Sequence, residues 1–187
     1  MKKNLLITFH PLTVEKNVTQ AQFKNVLAVL DELEETQLIF TKANADTGGR
    51  VINRMIDQYV AVHLDKAAVY VSLGQLKYLS LLQYVDGVVG NSSSGIIEVP
   101  SFKIGTINVG DRQQGRIFGK SIISCQPVSH DIRRALNVLY SKKFQQRFKK
   151  VTNPYGDGKT APRIKKILRN FKLRSLKKPF FIVDYKL

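Results

Sequence analysis

The strongest constraint on this chain is an alternation of two kinds of apolar pattern. Short, largely apolar runs of three to five residues are separated by longer stretches in which apolar residues recur every three or four positions. The runs at 5–9, 37–41, 67–71, 87–89, 105–109 and 121–124 read as strands, and His10-Pro11 ends the first of them. Phe23, Val26, Leu27, Leu30 and Leu33 form a helical stripe, preceded by Thr19 and Gln22 at the spacing of a capping box. Val51, Ile52, Met55, Ile56 and Tyr59 form a second stripe, and 75–84 and 95–99 read as shorter helices. Strands without polar alternation, joined by helices, belong to a parallel sheet covered on both faces. The expected class is therefore α/β, a Rossmann-like parallel sheet with helices on both faces. From Ser129, with Asp131 in the first turn, the pattern is purely helical: Ile132, Ala135, Leu136 and Leu139, then 144–151, then 164–171. A breaker-rich loop at 153–158 divides the last two. Residues 172–187 are a basic and apolar tail without assignment, in which 180–183 reads equally as an added edge strand or as a docking segment.

Composition limits the function classes. At 187 residues, 43% hydrophobic and 24% charged, the chain is the size of one globular domain and not disordered. No apolar stretch approaches the roughly 18–20 residues of a membrane span, and the N-terminal apolar run is shorter than a signal-peptide core. A cytoplasmic location is expected. The single Cys125 excludes an internal disulfide, and its apolar neighbours suggest a packing thiol at a strand end. The net charge of +16 is unevenly placed: residues 1–132 carry 13 Lys plus Arg against 12 Asp plus Glu, whereas 133–187 carry 17 against 2. A solvated helical face is the plain reading of that tract; nucleic acid, an anionic membrane surface and an acidic protein are the electrostatic alternatives. No zinc-finger spacing or RNP-type aromatic run supports nucleic acid, and Phe144 and Phe148, spaced i, i+4, read as core.

In an open parallel sheet the ligand crevice lies beyond the carboxyl ends of the strands where their order reverses. For the common order 3-2-1-4-5-6 that point falls between the first strand, ending at His10-Pro11, and the fourth, ending at Asn91-Ser-Ser-Ser-Gly95. Hydroxyls and a glycine directly ahead of a helix offer N–H groups, O–H groups and a positive dipole end to a phosphate. Glu98, one turn on, is placed to accept from vicinal hydroxyls of a ribose. Each piece also has a plain structural reading: a serine run caps helices, a lone histidine such as His10 is commonly structural, Gly48-Gly49 punctuates a turn and Asp46 caps the helix after it. His63 and His130 lack ligand-spaced partners, so neither a metal nor another cofactor is expected. Asp111, Arg112 and Arg116 sit among Gly110, Gly115 and Gly119, as in a loop that closes on something.

Four segments, 9–13 (FHPLT), 44–50 (NADTGGR), 85–116 (VDGVVGNSSSGIIEVPSFKIGTINVGDRQQGR) and 153–158 (NPYGDG), together resemble the C-terminal half of the hydrolysing UDP-N-acetylglucosamine 2-epimerases of sialic and nonulosonic acid synthesis. The resemblance runs to about Phe171 and implies the C-terminal domain of a glycosyltransferase-B fold. It implies that 1–171 is a nucleotide-binding Rossmann-like domain with C-terminal helices, and that the family's N-terminal domain, which supplies most of its acidic catalytic groups, is absent. It further implies that His10 faces the substrate diphosphate and acts in catalysis, Asn44 lies by the nucleotide, Leu73 meets the uracil through its backbone, Ser92 and Ser93 hold the phosphates, and Glu98 holds the ribose. Arg112 and Arg50 fall near the site. The family reaction removes the C2 proton, expels UDP and adds water to give N-acetylmannosamine; serine hydroxyls, helix-end amides and a protonated histidine would stabilise the departing UDP.

The expected function is thus the UDP-binding half of such an enzyme, in a truncated or split form inactive alone. It would take UDP or a UDP-amino sugar, pair with a separately encoded N-terminal domain, and self-associate through its cleft face. The alternatives are a non-catalytic module whose basic C-terminal tail binds polyanions, and glycosyl transfer on the same architecture.

Overall fold

Strand β1 (Lys3–Thr8) buries Leu5, Leu6 and Ile7 in succession, which only a central strand with both faces covered can do. The computed structural model describes residues 3–11, 16–44, 48–148, 151–172 and 177. After β1 come α1 (Lys16–Asp31), β2 (Thr36–Thr41), α2 (Gly49–Val62), β3 (Ala67–Tyr70), α3 (Gly74–Leu81), β4 (Gly87–Gly90), α4 (Ser94–Ile97) and a 3-10 turn (Val99–Phe102). Then follow β5 (Gly105–Val109), β6 (Ile122–Cys125), α5 (Ser129–Tyr140), α6 (Lys142–Phe148) and α7 (Thr160–Asn170). The six strands form one parallel sheet in the order β3-β2-β1-β4-β5-β6, with Leu5 opposite both Leu38 and Gly87. The α/β, Rossmann-like class and its expected strand order are those observed.

Successive strand residues feed opposite faces. Leu5, Ile7 and Val89 pack with Phe23, Ile52, Leu136 and Phe144 in the larger core, whereas Leu6 and Val88 pack with Leu82, Val85 and Val99 in a smaller one. Full burial of each such aliphatic side chain contributes about 1.5–3 kcal/mol. Phe144 and Phe148 stack edge to face, ring centroids 5.3 Å apart, inside the larger core. Gly87 and Gly105, the first residues of β4 and β5, leave room for α5 and α6: a Cβ at Gly105 would lie 2.4 Å from Leu139 and 2.9 Å from Phe144.

Some boundaries differ from expectation. Helix α1 begins at Lys16, so Thr19 lies inside it, 2% exposed, and the Thr19–Gln22 capping box is overturned: a side chain sealed in the interior of a helix is not at its cap. Strand β6 and helices α6 and α7 are shifted by one to four residues from the apolar runs that revealed them, because ladder and helix ends also enlist polar residues. The N-cap position of α2 is Gly48, and Asp46 lies outside the described residues. Leu12, Thr13 and the 180–183 segment lie outside them as well. The chain forms two compact units, 1–155 and 156–187, so the division precedes α7. Among the described residues no helix is long and apolar enough to cross a membrane.

Candidate functional site

Strands β1 and β4 end side by side, Thr8 opposite Gly90, at the point where strand order reverses. Gly90 has φ 143°, and a Cβ there would lie 1.9 Å from the Thr8 carbonyl oxygen, so only glycine permits this approach. One residue further, the Asn91 side chain extends the pairing beyond the last strand residue. His10 N–H donates to Asn91 Oδ1 at 2.7 Å, Asn91 Nδ2 donates to the His10 carbonyl at 2.8 Å, and Asn91 N–H donates to the Thr8 carbonyl at 3.2 Å. The Asn91 carbonyl in turn accepts from Gln113 Nε2 at 2.8 Å and from Arg112 Nη1 at 3.2 Å, which ties the loop after β5 to the same residue. Asn91 and Gln113 are 2% and 1% exposed.

Beside this latch opens a cavity of about 380 Å³. Its floor includes Thr8 and Thr41, whose hydroxyls are 2.6 Å apart; one wall is the start of α3 with Ser72, Leu73 and Tyr78, and another carries Ser92, Ser94 and Glu98. His10 and Lys42 complete the lining, with Lys42 Nζ 2.8 Å from Asp57. Four residues expected at a ligand site, His10, Leu73, Ser92 and Glu98, therefore share one cavity. Asn44, Ser93 and Arg112 do not line it: Asn44 adjoins His10, Ser93 is the N-cap of α4, and Arg112 is directed at Asn91. Arg50 lies in the first turn of α2, outside the lining.

The chemistry of the cavity differs from the expectation in one respect, the helix end. Asn44 N–H donates to His10 Nδ1 at 3.3 Å, which orients the ring. Helix α4 is a single turn, with Gly95 and Ile96 N–H groups already bonded to the Ser92 and Ser93 carbonyls, so its dipole is weak and hydroxyl donors carry more of the polarity. Those hydroxyls are linked: Tyr78 OH donates to Ser94 Oγ at 2.8 Å, and Ser94 Oγ lies 3.0 Å from Ser92 Oγ. Burial pushes the Tyr78 phenol up to about 12, with the Glu98 charge adding to the rise and the Ser94 bond opposing it. Glu98 keeps an exposed edge, yet desolvation of its packed side raises its carboxyl above the ordinary range. Cys125 closes β6, and burial, aided by the Asp131 charge, pushes its thiol up to about 12, the behaviour of a packing residue. Among the described residues no group of three His, Cys, Asp or Glu side chains could hold a metal ion.

Sequence reasoning passed over Asn91, Gln113, Tyr78 and Ser94 as individual actors. Ser94 and Asn91 were visible within the serine motif, but Tyr78 reads as an ordinary aromatic of a helix until its hydroxyl is seen against Ser94.

Comparison with known proteins places this geometry in context. A sequence profile described as UDP-N-acetylglucosamine 2-epimerase matches residues 1–169. The GDP/UDP-N,N'-diacetylbacillosamine 2-epimerase (hydrolyzing) of Campylobacter jejuni is 45% identical over 145 residues, 78% of this chain and 37% of that protein. The polysialic acid biosynthesis protein P7 of Escherichia coli is 35% identical over 156 residues, 83% of this chain and 39% of that protein. The fold matches that of S. aureus MnaA in its co-structure with UDP, with TM-score 0.70 at 18% identity over 90% of this chain and 44% of that one. The chain thus matches well under half the length of these curated relatives.

Proposed function

The chain belongs to the UDP-N-acetylglucosamine 2-epimerase family, and from that premise we propose that it is the UDP-binding half of a hydrolysing 2-epimerase acting on a UDP-linked acetamido sugar. The observation that carries this reading is the gathering of His10, Leu73, Ser92 and Glu98 around one cavity at the switch point of the sheet. In it, Ser92 holds the diphosphate, with Ser93 beside it at the N-cap of α4, Glu98 accepts from the ribose hydroxyls, and the backbone at Leu73 meets the base. His10 stabilises charge on the departing UDP, while Asn44 fixes its ring and Arg112 adds positive charge to the rim. The sugar is UDP-N-acetylglucosamine or a diacetamido relative, the latter suggested by the 45%-identical protein.

Elimination of UDP needs a base at the sugar C2 and a group to deliver water. Neither is assigned to a residue here, so the chain alone is expected to bind nucleotide weakly and turn nothing over. The remaining groups come from the portion of a relative that this chain does not match, in the same polypeptide or in a separate one.

Calorimetric titration of UDP into the chain, beside a Ser92→Ala, Ser93→Ala double variant, tests the reading. Binding that the variant loses is the expected result. No binding by the unsubstituted chain, or equal binding by both, overturns the site, and steady release of UDP from UDP-N-acetylglucosamine overturns the claim of inactivity. A second reading, a polyanion-binding module, draws on α7, whose Lys165, Lys166 and Arg169 are all exposed; steeply salt-dependent binding to nonspecific nucleic acid without any response to UDP would favour it.

A further inference from the structure

We propose that Tyr78 is a positioning residue for this site: acting through Ser94, it makes the Ser92–Ser94 hydroxyl pair a hydrogen-bond donor toward the phosphates of the ligand. The inference rests on the reading of the cavity as a UDP site and extends it to a residue outside the motif.

The three hydroxyls form a chain. Tyr78 OH donates to Ser94 Oγ at 2.8 Å, Ser94 Oγ and Ser92 Oγ are 3.0 Å apart, and Ser94 N–H reaches Ser92 Oγ at 3.4 Å. Three hydroxyls carry three protons, and the two bonds between them use two, whichever way the serine–serine bond runs. The third proton belongs to Ser92 or Ser94, and both line the cavity. The phenol occupies one lone pair of Ser94 and the Ser94 N–H one of Ser92, so with the serine–serine bond three of the pair's four acceptor positions are taken. The pair therefore has an O–H to offer the cavity and only a single lone pair left beside it. A phosphate oxygen only accepts, so the available O–H suits an anion. The phenol, raised to about 12 by burial, keeps its proton across the physiological range and stays a donor. Without it, Ser94 Oγ would turn a lone pair into the same space and be free to rotate.

Tyr78→Phe keeps the ring and removes only the donor. The full chain, with and without this change, is titrated with UDP by calorimetry and with uridine, which lacks phosphate, by NMR chemical-shift titration. The expected result is a loss of about fivefold in UDP affinity, the worth of one hydrogen bond, with uridine binding unchanged. Ser94→Ala should show the same UDP-only loss, and the double variant should bind no more weakly than the weaker single one, since both break one chain. UDP binding untouched by Tyr78→Phe or by Ser94→Ala, or an equal loss for UDP and uridine, overturns the relay while leaving the nucleotide site standing. Failure of the unsubstituted chain to bind UDP overturns the functional reading, and the relay with it. Thermal melts identify a variant that does not fold, in which case the other single substitution carries the test.

Discussion

Asn91 shows how much one side chain can organise. It joins the ends of two strands through His10 and, by its own carbonyl, receives the loop after β5 through Gln113 and Arg112. Its motif is legible in the sequence as a polar turn ahead of a helix; its partner is not, since His10 lies 81 residues earlier. Asn91→Ala removes both side-chain bonds in a part-buried setting and is expected to lower the unfolding free energy by about 2–3 kcal/mol, measured by urea denaturation. Asn91→Asp should cost a similar amount, because it keeps the acceptor for His10 N–H but turns a carboxylate toward the His10 carbonyl. A shift below about 0.5 kcal/mol in the alanine variant would mean that the latch does not support the fold.

At the scale of elements, helix seating is governed by glycines that a reading of periodicity treats as breaks. Gly105 starts β5 directly beneath Leu139 of α5 and Phe144 of α6, with no room for a methyl group. Gly105→Ala should therefore cost about 1–3 kcal/mol by overpacking. Leu139→Ala alone should cost about 2–5 kcal/mol as a large-to-small change. Combined, the two should cost clearly less than their sum, because the new methyl fills space the leucine vacates; strict additivity in urea midpoints would show that they do not meet. The start of α1 teaches a related lesson. Thr19 and Gln22 have the spacing of a capping box, yet burial of Thr19 decides the matter, and burial depends on what packs against the helix.

For the molecule as a whole, two large apolar side chains stand exposed beside the cavity. Val71, which lines the mouth, is 78% exposed, and Leu76 in the neighbouring helix is 81% exposed. Such residues favour association. Sedimentation of the chain is expected to show concentration-dependent oligomers, reduced by Val71→Ser with Leu76→Ser; a single species at the 21.2 kDa monomer mass across the concentration range would remove that expectation. The positive charge has a different standing: its location after residue 132 follows from composition alone, whereas the exposed basic residues of α7 belong to a compact unit that begins at Gly156. By itself the sequence determined the class and, given the common strand order, the segments that meet at the switch point, because apolar period and chain connectivity are local properties that leave a parallel sheet few arrangements. Only the tertiary structure decided the contact of Asn44 with His10, the Asn91 latch and the link from Tyr78 to Ser92. Each depends on distances between residues far apart in the chain, and a hydrogen bond exists only where those distances close to about 3 Å.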